Sequence, residues 1–269
     1  MSILQEIQDR FLEFSEKEKQ IATYLLQNSN SIKNINISKL AELTESSPAT
    51  ITRFAKKINS DSFVDLKIRL NAAGKQESAH SQLEKADQIY EFYTKVIENT
   101  RKTAKKEKIE EVVALIEASS RILIFGVGSS GLTASELTNR LVRMGLNATA
   151  ITDPHLMLIS SSIATQADLV IGISTSGETL EVANSLKLAK KTGAKIISLT
   201  SFATSQIALI SDVSLISYSS SFVDNQRFIN SQFATMYMID IISTLLLEND
   251  AYSSKMARTI DIITKSLNE

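Results

Sequence analysis

The sequence contains no cysteine, which excludes disulfide frameworks, thiol nucleophiles and thiolate metal sites. Its two histidines, His80 and His155, stand 75 positions apart, so the usual zinc ligand sets are not available and no metal or cofactor is expected. Only 8 glycines and 2 prolines occur in 269 residues, which argues against long flexible or extended linkers. No apolar run reaches the ~18–20 residues that span a bilayer. The start, MSILQEIQDRF, has no basic stretch followed by an apolar one, so no secretory signal is read there and the expected location is the cytoplasm, away from membranes. What is present is ordinary for a folded chain. Hydrophobic residues make up 43% and the net charge is -1, which excludes disorder throughout. The length fits two domains or one large one, with enough chain to bury a core.

Charge is unevenly placed. Residues 1–75 carry 11 basic and 9 acidic side chains, residues 76–110 carry 7 of each, and residues 111–269 carry 11 and 14. The N-terminal excess is small but clustered. Arg53, Lys56 and Lys57 fall within five residues, and no acid lies between Pro48 and Ser60. A short basic run is usually a solvated helix face, so charge alone does not assign nucleic acid.

Helix signals dominate residues 1–75. Ser15-Glu16-Lys17-Glu18 fits a capping box, and Ile21, Tyr24 and Leu25 continue an apolar face. Ile35-Asn36-Ile37 reads as a non-helical approach, with Ser38 capping a helix from Lys39 to about Leu43. Glu45 and Ser46 make a turn. Ser47 before Pro48 is an N-cap followed by proline at the first helical position. The next helix is expected over Pro48–Ile58. At 100° per residue it gathers Ile51, Phe54, Ala55 and Ile58 on one face and Ala49, Arg53, Lys56 and Lys57 on the other, with Thr50 and Thr52 on the flanks. Asn59 suits a left-handed C-terminal cap. A short helix, a tight turn and a basic, hydroxyl-bearing helix form the helix-turn-helix arrangement, whose second helix enters a major groove. There Arg53 reaches guanine edges, Ser47 and Thr50 bond phosphates or bases, and Lys56 and Lys57 neutralise phosphates. Two short amphipathic helices also occur as plain structure, so the pattern by itself leaves both roles open.

After residue 110 apolar, β-rich runs alternate with helical stretches. Strands are expected over Arg121–Val127, Ala148–Thr152, Leu169–Ser174, Lys195–Thr200 and Val213–Ser219, with helices over Thr133–Met144, Leu156–Ala164 and Leu180–Lys191. Together they predict an α/β doubly wound, five-stranded parallel sheet. Residues 230–248 read as a long helix of the core. The first strand runs into Gly126-Val127-Gly128-Ser129-Ser130-Gly131, which matches G-x-G-x-x-G, and a dinucleotide site has to be weighed. Asp153 could hold a ribose, but before Pro154 it fits a cap or turn better. The third strand runs into Ser174-Thr175-Ser176-Gly177-Glu178-Thr179, a second hydroxyl-rich loop that a dinucleotide domain does not need. Ser129, Ser130, Ser174, Ser176 and Thr179 beside helix N-terminal amides, after Gly128 and around Gly177, would cradle a phosphate without a lysine. Two serine-rich turns that merely cap helices are the ordinary alternative. Their pairing at strand carboxyl ends favours the ligand.

Gly126–Gly131 with Ser174–Thr179 resembles the SIS (sugar isomerase) domain. Ser47–Lys57, followed by Phe63 and Leu66-Lys67, resembles the helix-turn-helix domain of the RpiR (MurR/RpiR) family of bacterial transcriptional regulators, and the order of the two covers almost the whole chain. The resemblance implies a helix-turn-helix domain over 1–75, a helical connector over 76–110 and a SIS domain, a flavodoxin-like three-layer sandwich, over 111–269. It implies a sugar-phosphate effector at Gly128, Ser129, Ser130, Ser174, Ser176, Gly177 and Thr179. It implies operator DNA at Ser47, Ala49, Thr50, Arg53, Lys56 and Lys57, and control of sugar-catabolism genes. Two departures stand out: Asn59 where the family usually has glycine, and Ser231-Gln232 where it often has Ser-Arg.

A sugar-phosphate isomerase is the alternative. It needs a base for a proton alpha to a carbonyl, and the candidates are Glu136, Glu178, Glu181 and His155. Each has an ordinary role beside it. Glu178 and Glu181 open a helix where acids suit the dipole, Glu136 sits one turn into a helix, and His155 follows a helix start. His80 lies in the charged connector. No second acid–base group is evident, so no catalysis is expected. The connector carries Ile89, Phe92, Tyr93, Val96 and Ile97 at helical spacing and reads as a strut or a transmitter between domains. A homo-oligomer, dimer or tetramer, is expected because one helix-turn-helix covers few base pairs, with residues 230–248 and 254–267 as interface candidates.

Overall fold

The computed structural model describes residues 3–28, 32, 35–74, 85–220 and 230–266. The chain divides into two compact units, Met1–Lys95 with Ser220–Phe228, and Val96–Ser219 with Ile229–Glu269. The boundary after Lys95 falls inside one helix, so the segment expected as connector contributes to both units.

The first unit contains α1 (Ile3–Asp9), a 3-10 turn (Phe11–Glu13), α2 (Glu16–Gln27), α3 (Ile37–Leu43), α4 (Pro48–Lys57), α5 (Phe63–Gly74) and the start of α6 (Lys85–Thr103). The capping box on α2 forms as the spacing predicts: the Glu18 amide donates to Ser15 Oγ at 3.4 Å and the Ser15 amide to Glu18 Oε2 at 2.8 Å. The cap of α3 is a correction. Asn36, not Ser38, accepts from the Lys39 amide, at 2.8 Å, and Ile37 is already helical. Asn36 is an equally good cap and has the extended backbone that a cap requires, which leaves Ser38 in the first turn. On α4, Ser47 Oγ accepts from the Thr50 amide at 3.1 Å with Pro48 next in line. Ile51, Phe54, Ala55 and Ile58 are fully buried, as are Leu25, Leu40 and Leu66. Asn59 takes φ 53°, the left-handed cap its position called for.

The second unit holds α7 (Lys106–Ala118), β1 (Arg121–Phe125), α8 (Ser129–Arg143), β2 (Ala148–Ile151), α9 (Pro154–Ser162), β3 (Asp168–Ile173), α10 (Leu180–Lys191), β4 (Lys195–Thr200), α11 (Gln206–Ile210), β5 (Val213–Ile216), α12 (Phe233–Leu246) and α13 (Asp250–Ser266). The strands form one parallel sheet in the order β2-β1-β3-β4-β5. Alternate side chains supply two cores. Ile122, Ile124, Ile171 and Leu199 join Ile116 of α7, Leu137 of α8 and Ile239 and Ile242 of α12. Leu123, Phe125, Val170 and Ile196 join Met157 of α9, Leu186 of α10 and Ile207 of α11. This is a three-layer sandwich, and α12 is core, as its composition suggested. One boundary moves with consequence: α8 begins at Ser129 rather than near Thr133, so Ser129 and Ser130 are helix residues, not loop residues. Gly128, at φ 58° and ψ -128°, makes the turn that lets the helix start there.

At the amino ends of the strands, Arg121 grips Asp168 with two bonds, Nε at 3.0 Å and Nη2 at 2.8 Å. The Thr165 amide adds a third at 2.7 Å. The bonded guanidinium holds the Asp168 carboxyl below the usual aspartate range, against the opposing effect of its burial. A depressed pKa adds stability that is complete above the ordinary aspartate value and is lost as pH falls through the folded one. Arg121→Met is expected to be less stable than wild type at pH 7, with the gap closing as pH falls from about 4 to 2. Urea titrations along that series check it, and a gap independent of pH would contradict it.

Candidate functional site

On α4 the structure leaves Ala49, Arg53 and Lys56 exposed. Arg53 and Lys56 make no hydrogen bond or ion pair among the described residues. Ser47 and Thr50 share a hydroxyl–hydroxyl bond at 2.9 Å, and Thr52 Oγ1 donates to the Pro48 carbonyl at 2.9 Å. Lys57 does not join this face, contrary to expectation. Its Nζ bonds Glu18 Oε2 at 2.9 Å and the Glu13 carbonyl at 2.9 Å, and lies 5.3 Å from the Phe14 ring centre. One residue beyond Lys56 is 100° further round the helix, which turns this cation toward α2. Burial of Glu18 opposes its ionisation, but the Ser15 amide and Lys57 together hold its carboxyl below the ordinary range.

The far end of α4 is clamped by residues that sequence pattern did not single out. Arg10 donates to the Lys57 carbonyl. Arg69 Nη1 donates to the carbonyls of Ile58 and Asn59 at 3.1 and 2.9 Å, and its Nη2 pairs with Glu6 at 2.8 Å. Cations belong at a helix C-terminus, where carbonyls lack partners. The partners are 63 residues apart in the Arg69–Glu6 pair, and no local pattern links them.

In the second unit β1 and β3 are neighbours, with Phe125 opposite Gly172. From there the strand order runs outward both ways, the switch point at which such sheets bind ligands beyond the strand carboxyl ends. Both hydroxyl-rich segments leave from this place. Gly126 has to be glycine: a Cβ would come 2.5 Å from the Ser130 carbonyl oxygen, so α8 is seated directly on the strand end. The Gly131 and Leu132 amides bond the Gly128 carbonyl at 3.0 and 3.2 Å. Those of Ser129 and Ser130 make no hydrogen bond among the described residues, as expected for the first amides of a helix. Nothing within 4 Å would meet a Cβ on Gly128, so the turn that opens α8 is uncrowded on that side.

The second segment is internally braced. Ser174, buried, shares hydroxyl bonds with Thr179 at 2.8 Å and Ser176 at 3.4 Å, and accepts from the Gly177 amide at 3.0 Å. Ser176 is exposed, and Thr179 is the N-cap of α10. Gly177 adopts φ 69°, and a Cβ there would overlap Ser205 and come 2.7 Å from Thr200 Oγ1. The two segments are joined by a side chain from α12. Gln232 Nε2 donates to Thr175 Oγ1 at 3.0 Å, and its Oε1 accepts from Thr133 Oγ1 at 3.3 Å. Thr133 and Thr175 escaped sequence reasoning. In the sequence Gln232 stands out only as a departure from the Ser-Arg that the rpiR family often has there, and that departure marks this bridge. No Lys or Arg occurs in Gly126–Ala134 or Ser174–Thr179, so what this place offers an anion is amides and hydroxyls.

The model of the helix-turn-helix domain of the rpiR family matches residues 1–77, and that of the SIS domain matches residues 114–245. Residues 1–77 thus carry an rpiR-type helix-turn-helix domain and residues 114–245 a SIS domain, the make-up of an rpiR-type transcriptional regulator. It is similar to an uncharacterized HTH-type transcriptional regulator of Haemophilus influenzae, 28% identical over 277 residues that cover 97% of this chain and 96% of that one. An uncharacterized HTH-type transcriptional regulator of Clostridium perfringens is 27% identical over 280 residues, with both chains fully covered. The solved structure of Vibrio vulnificus NanR complexed with ManNAc-6P has the same fold, with a TM-score of 0.62, 24% identity and 98% of each chain covered.

In this rpiR-type regulator the residues weighed as catalytic bases have other partners or stand apart. Glu178 accepts from the Gln206 amide at 3.0 Å and from its side chain at 2.9 Å, so it caps α11. Glu136 pairs with Arg140 at 2.8 Å. Glu181 and His155 are exposed at helix starts. Asp153 accepts from the Leu156 amide at 2.9 Å, which is the capping role rather than a ribose contact. His80 lies outside the described residues. Among the described residues no three Asp, Glu or His side chains gather where a metal could sit.

The positive-φ glycines of the two segments, Gly128 and Gly177, separate strain from collision. Gly128→Ala meets open space and carries backbone strain only, about 1–3 kcal/mol. Gly177→Ala adds overlap with Ser205, so its loss of stability should be the larger by at least about 1 kcal/mol. Denaturant unfolding of both variants measures the difference, and equal losses would mean that the Gly177 loop yields freely.

Proposed function

We propose that the SIS domain holds the phosphate of a sugar effector between Gly128-Ser129-Ser130 and Ser174, Ser176, Gly177 and Thr179, and that α4 reads operator DNA with Ser47, Ala49, Thr50, Arg53 and Lys56. In this reading the chain is organised as a DNA-reading domain over 1–75, a connector over 76–110 and an effector domain over 111–269, and it acts in the cytoplasm without catalysing a reaction. The observation that carries the effector reading is the pair of hydroxyl-rich helix starts at one switch point, with amides of Ser129 and Ser130 that make no hydrogen bond among the described residues. The bound ManNAc-6P named for the NanR relative supports the ligand class and supplies a first probe. The engagement of Glu178 and Glu136 by Gln206 and Arg140, and the regulator names of the relatives, favour a sensor over an isomerase. No helix of the described residues is long and apolar enough to cross a membrane.

The test has two arms. A hydroxyl bond to a charged phosphate is worth about 1.5–3 kcal/mol, so Ser130→Ala with Ser176→Ala should weaken a calorimetrically measured sugar phosphate by at least about tenfold and leave the ligand-free fold intact. Binding of the unphosphorylated sugar as tight as its phosphate, or indifference to the double variant, removes the cradle. For DNA, Arg53→Ala should cost about 1–3 kcal/mol if it makes a bidentate guanine contact. Lys56→Ala should flatten the salt dependence. Lys57→Ala should instead lower stability, because its partner Glu18 is largely buried. Operator affinity unchanged in Arg53→Ala/Lys56→Ala moves the recognition surface elsewhere.

We further infer a homo-oligomer, a dimer or tetramer, because a lone helix-turn-helix reads few base pairs. The expected interface shifts. Met238, Ile239, Ile242 and Leu246 of α12 are consumed by the core. Leu156 and Ile159 of α9 with Ile163 at its C-cap, and Ile260 and Ile263 on α13, are exposed. Light scattering at micromolar concentration should return a multiple of the 29.6 kDa chain mass, reduced by Ile159→Lys with Ile163→Lys. A monomer mass for the wild type, with DNA present or absent, contradicts it.

A further inference from the structure

Backbone pairing in the sheet does not stop where the strands end. The Ser174 amide donates to the Leu199 carbonyl at 3.1 Å, and the Ser201 amide donates to the Thr175 carbonyl at 3.0 Å. Thr200 Oγ1 reaches that same Thr175 carbonyl at 3.3 Å. One step further out, the Ser217 amide donates to the Thr200 carbonyl at 2.9 Å, and the Ser201 and Ser217 hydroxyls lie 3.3 Å apart. β5 is the edge strand, and α6 reaches the chain at this edge through two threonine hydroxyls. The Tyr218 amide donates to Thr100 Oγ1 at 3.1 Å, and that hydroxyl donates to the Val96 carbonyl at 2.7 Å. Thr103 Oγ1 bonds the Ile216 carbonyl at 2.9 Å. Thr100, Ser201, Ser217 and Tyr218 are all buried.

We propose that this ladder, from Thr175 through Thr200/Ser201 and Ser217/Tyr218 to Thr100 and Thr103, is the path by which phosphate at the cradle is felt by α6. It rests on the cradle reading above. Thr175 stands between Ser174 and Ser176, and its own hydroxyl receives the Gln232 bridge from Thr133 of α8. Both segments of the cradle therefore pull on one residue. Its carbonyl carries two bonds toward β4, so a displacement there moves Thr200 and Ser201 or breaks their bonds. The last rung lands on the helix that runs, uninterrupted, across the boundary at Lys95 into the first unit. Covering a sheet edge accounts for some contact at this place. An apolar seal would serve that purpose without two threonine hydroxyls bonded to the backbone of the segment that follows the cradle's neighbours. Thr100 both donates and accepts, so valine of the same shape removes the link from both sides.

The full chain is used, with a DNA fragment selected from a random pool by the wild type, and with inorganic phosphate, glucose 6-phosphate and ManNAc-6P as probes. In the wild type a bound probe should slow amide exchange at Ser129–Gly131 and Ser174–Thr179, and should also alter it at Val96–Thr103 and Tyr218. The same probe should change DNA affinity by about fivefold or more. In Thr100→Val/Thr103→Val that change should fall below about twofold, with the probe still protecting the cradle and ligand-free DNA binding retained. Thr100→Ser, which keeps the hydroxyl, should retain the coupling. So should Thr94→Val, which removes an exposed hydroxyl bond of the same helix to the Tyr90 carbonyl. Cradle protection with no response in α6 of the wild type, or full coupling in the double valine variant, overturns the ladder while leaving the cradle standing. If the double variant does not fold, the wild-type exchange pattern and Thr103→Val decide. No protection of the cradle by any probe overturns the phosphate reading, and the ladder with it.

Discussion

A parallel sheet covered on both faces offers solvent little but its ends, and the second unit is arranged around that limit. Burying Ile122, Ile124, Leu123 and Phe125 on opposite sides of one strand requires helices above and below. Each connection must then carry the chain from a strand's carboxyl end to a helix start. At β1 and β3 those turns leave neighbouring strands, so two helix N-termini face the same space. Gly126 is where the limit is tightest. Only a hydrogen fits against the Ser130 carbonyl, and that contact sets the height at which α8 presents the amides of Ser129 and Ser130. Gly172 plays the matching part under α10, where a Cβ would lie 2.6 Å from Leu186 Cδ1. The shape of the proposed cradle thus follows from how closely helices sit on strand glycines, backbone on backbone at Gly126 and side chain on backbone at Gly172.

Electrostatics agree with this economy. With no cation in either segment, an anion is met by orphan amides, the helix dipole and hydroxyls. Such donors are fixed by the fold and do not need to be ordered when a ligand arrives. Ser174 illustrates the division of labour: its hydroxyl, buried, is already engaged with Thr179, Ser176 and the Gly177 amide, so it shapes the loop, while Ser129 and Ser176 are exposed, Ser176 with the Glu178 amide and Ser174 as its present partners. The one acid within the two segments, Glu178, is engaged by the amide and side chain of Gln206. On α4 the same sorting separates Lys57, spent on Glu18 and Glu13, from Arg53 and Lys56, which face outward.

What could be read from sequence follows the range of the interaction that decides it. The Ser15 capping box, Ser47-Pro48, the left-handed Asn59 and the strand Lys195–Thr200 depend on neighbours within a turn or on alternation, and each stands as the pattern implies. The strand ends carrying glycine and serine were legible because turn chemistry is local. Ser38 lost the cap of α3 to Asn36 because two good caps stood two residues apart and local propensity does not rank them. Lys57, Arg69 and Gln232 were opaque for a different reason. Their roles are set by partners 39, 63, and 57 or 99 residues away, and nothing periodic in a sequence announces such pairs.

These long-range contacts also explain why the two ends of the chain's working parts are built differently. The C-terminus of α4 is held by charged clamps, Arg10 and Arg69, that fix one helix against α1 and α5. The sheet edge meets α6 through neutral hydroxyls of Thr100 and Thr103 instead. A charge clamp of this kind resists displacement, because separating it leaves a partly buried ion unpaired. A neutral hydroxyl bond has a net worth of only about 1 kcal/mol and can be remade in a shifted register at small cost. A helix required to stay put is better served by the first, and a helix required to respond to events at a strand end by the second. The placement of each kind of bond fits the proposed ladder, with α4 held firmly by charge and α6 bonded to the sheet edge by hydroxyls that can shift.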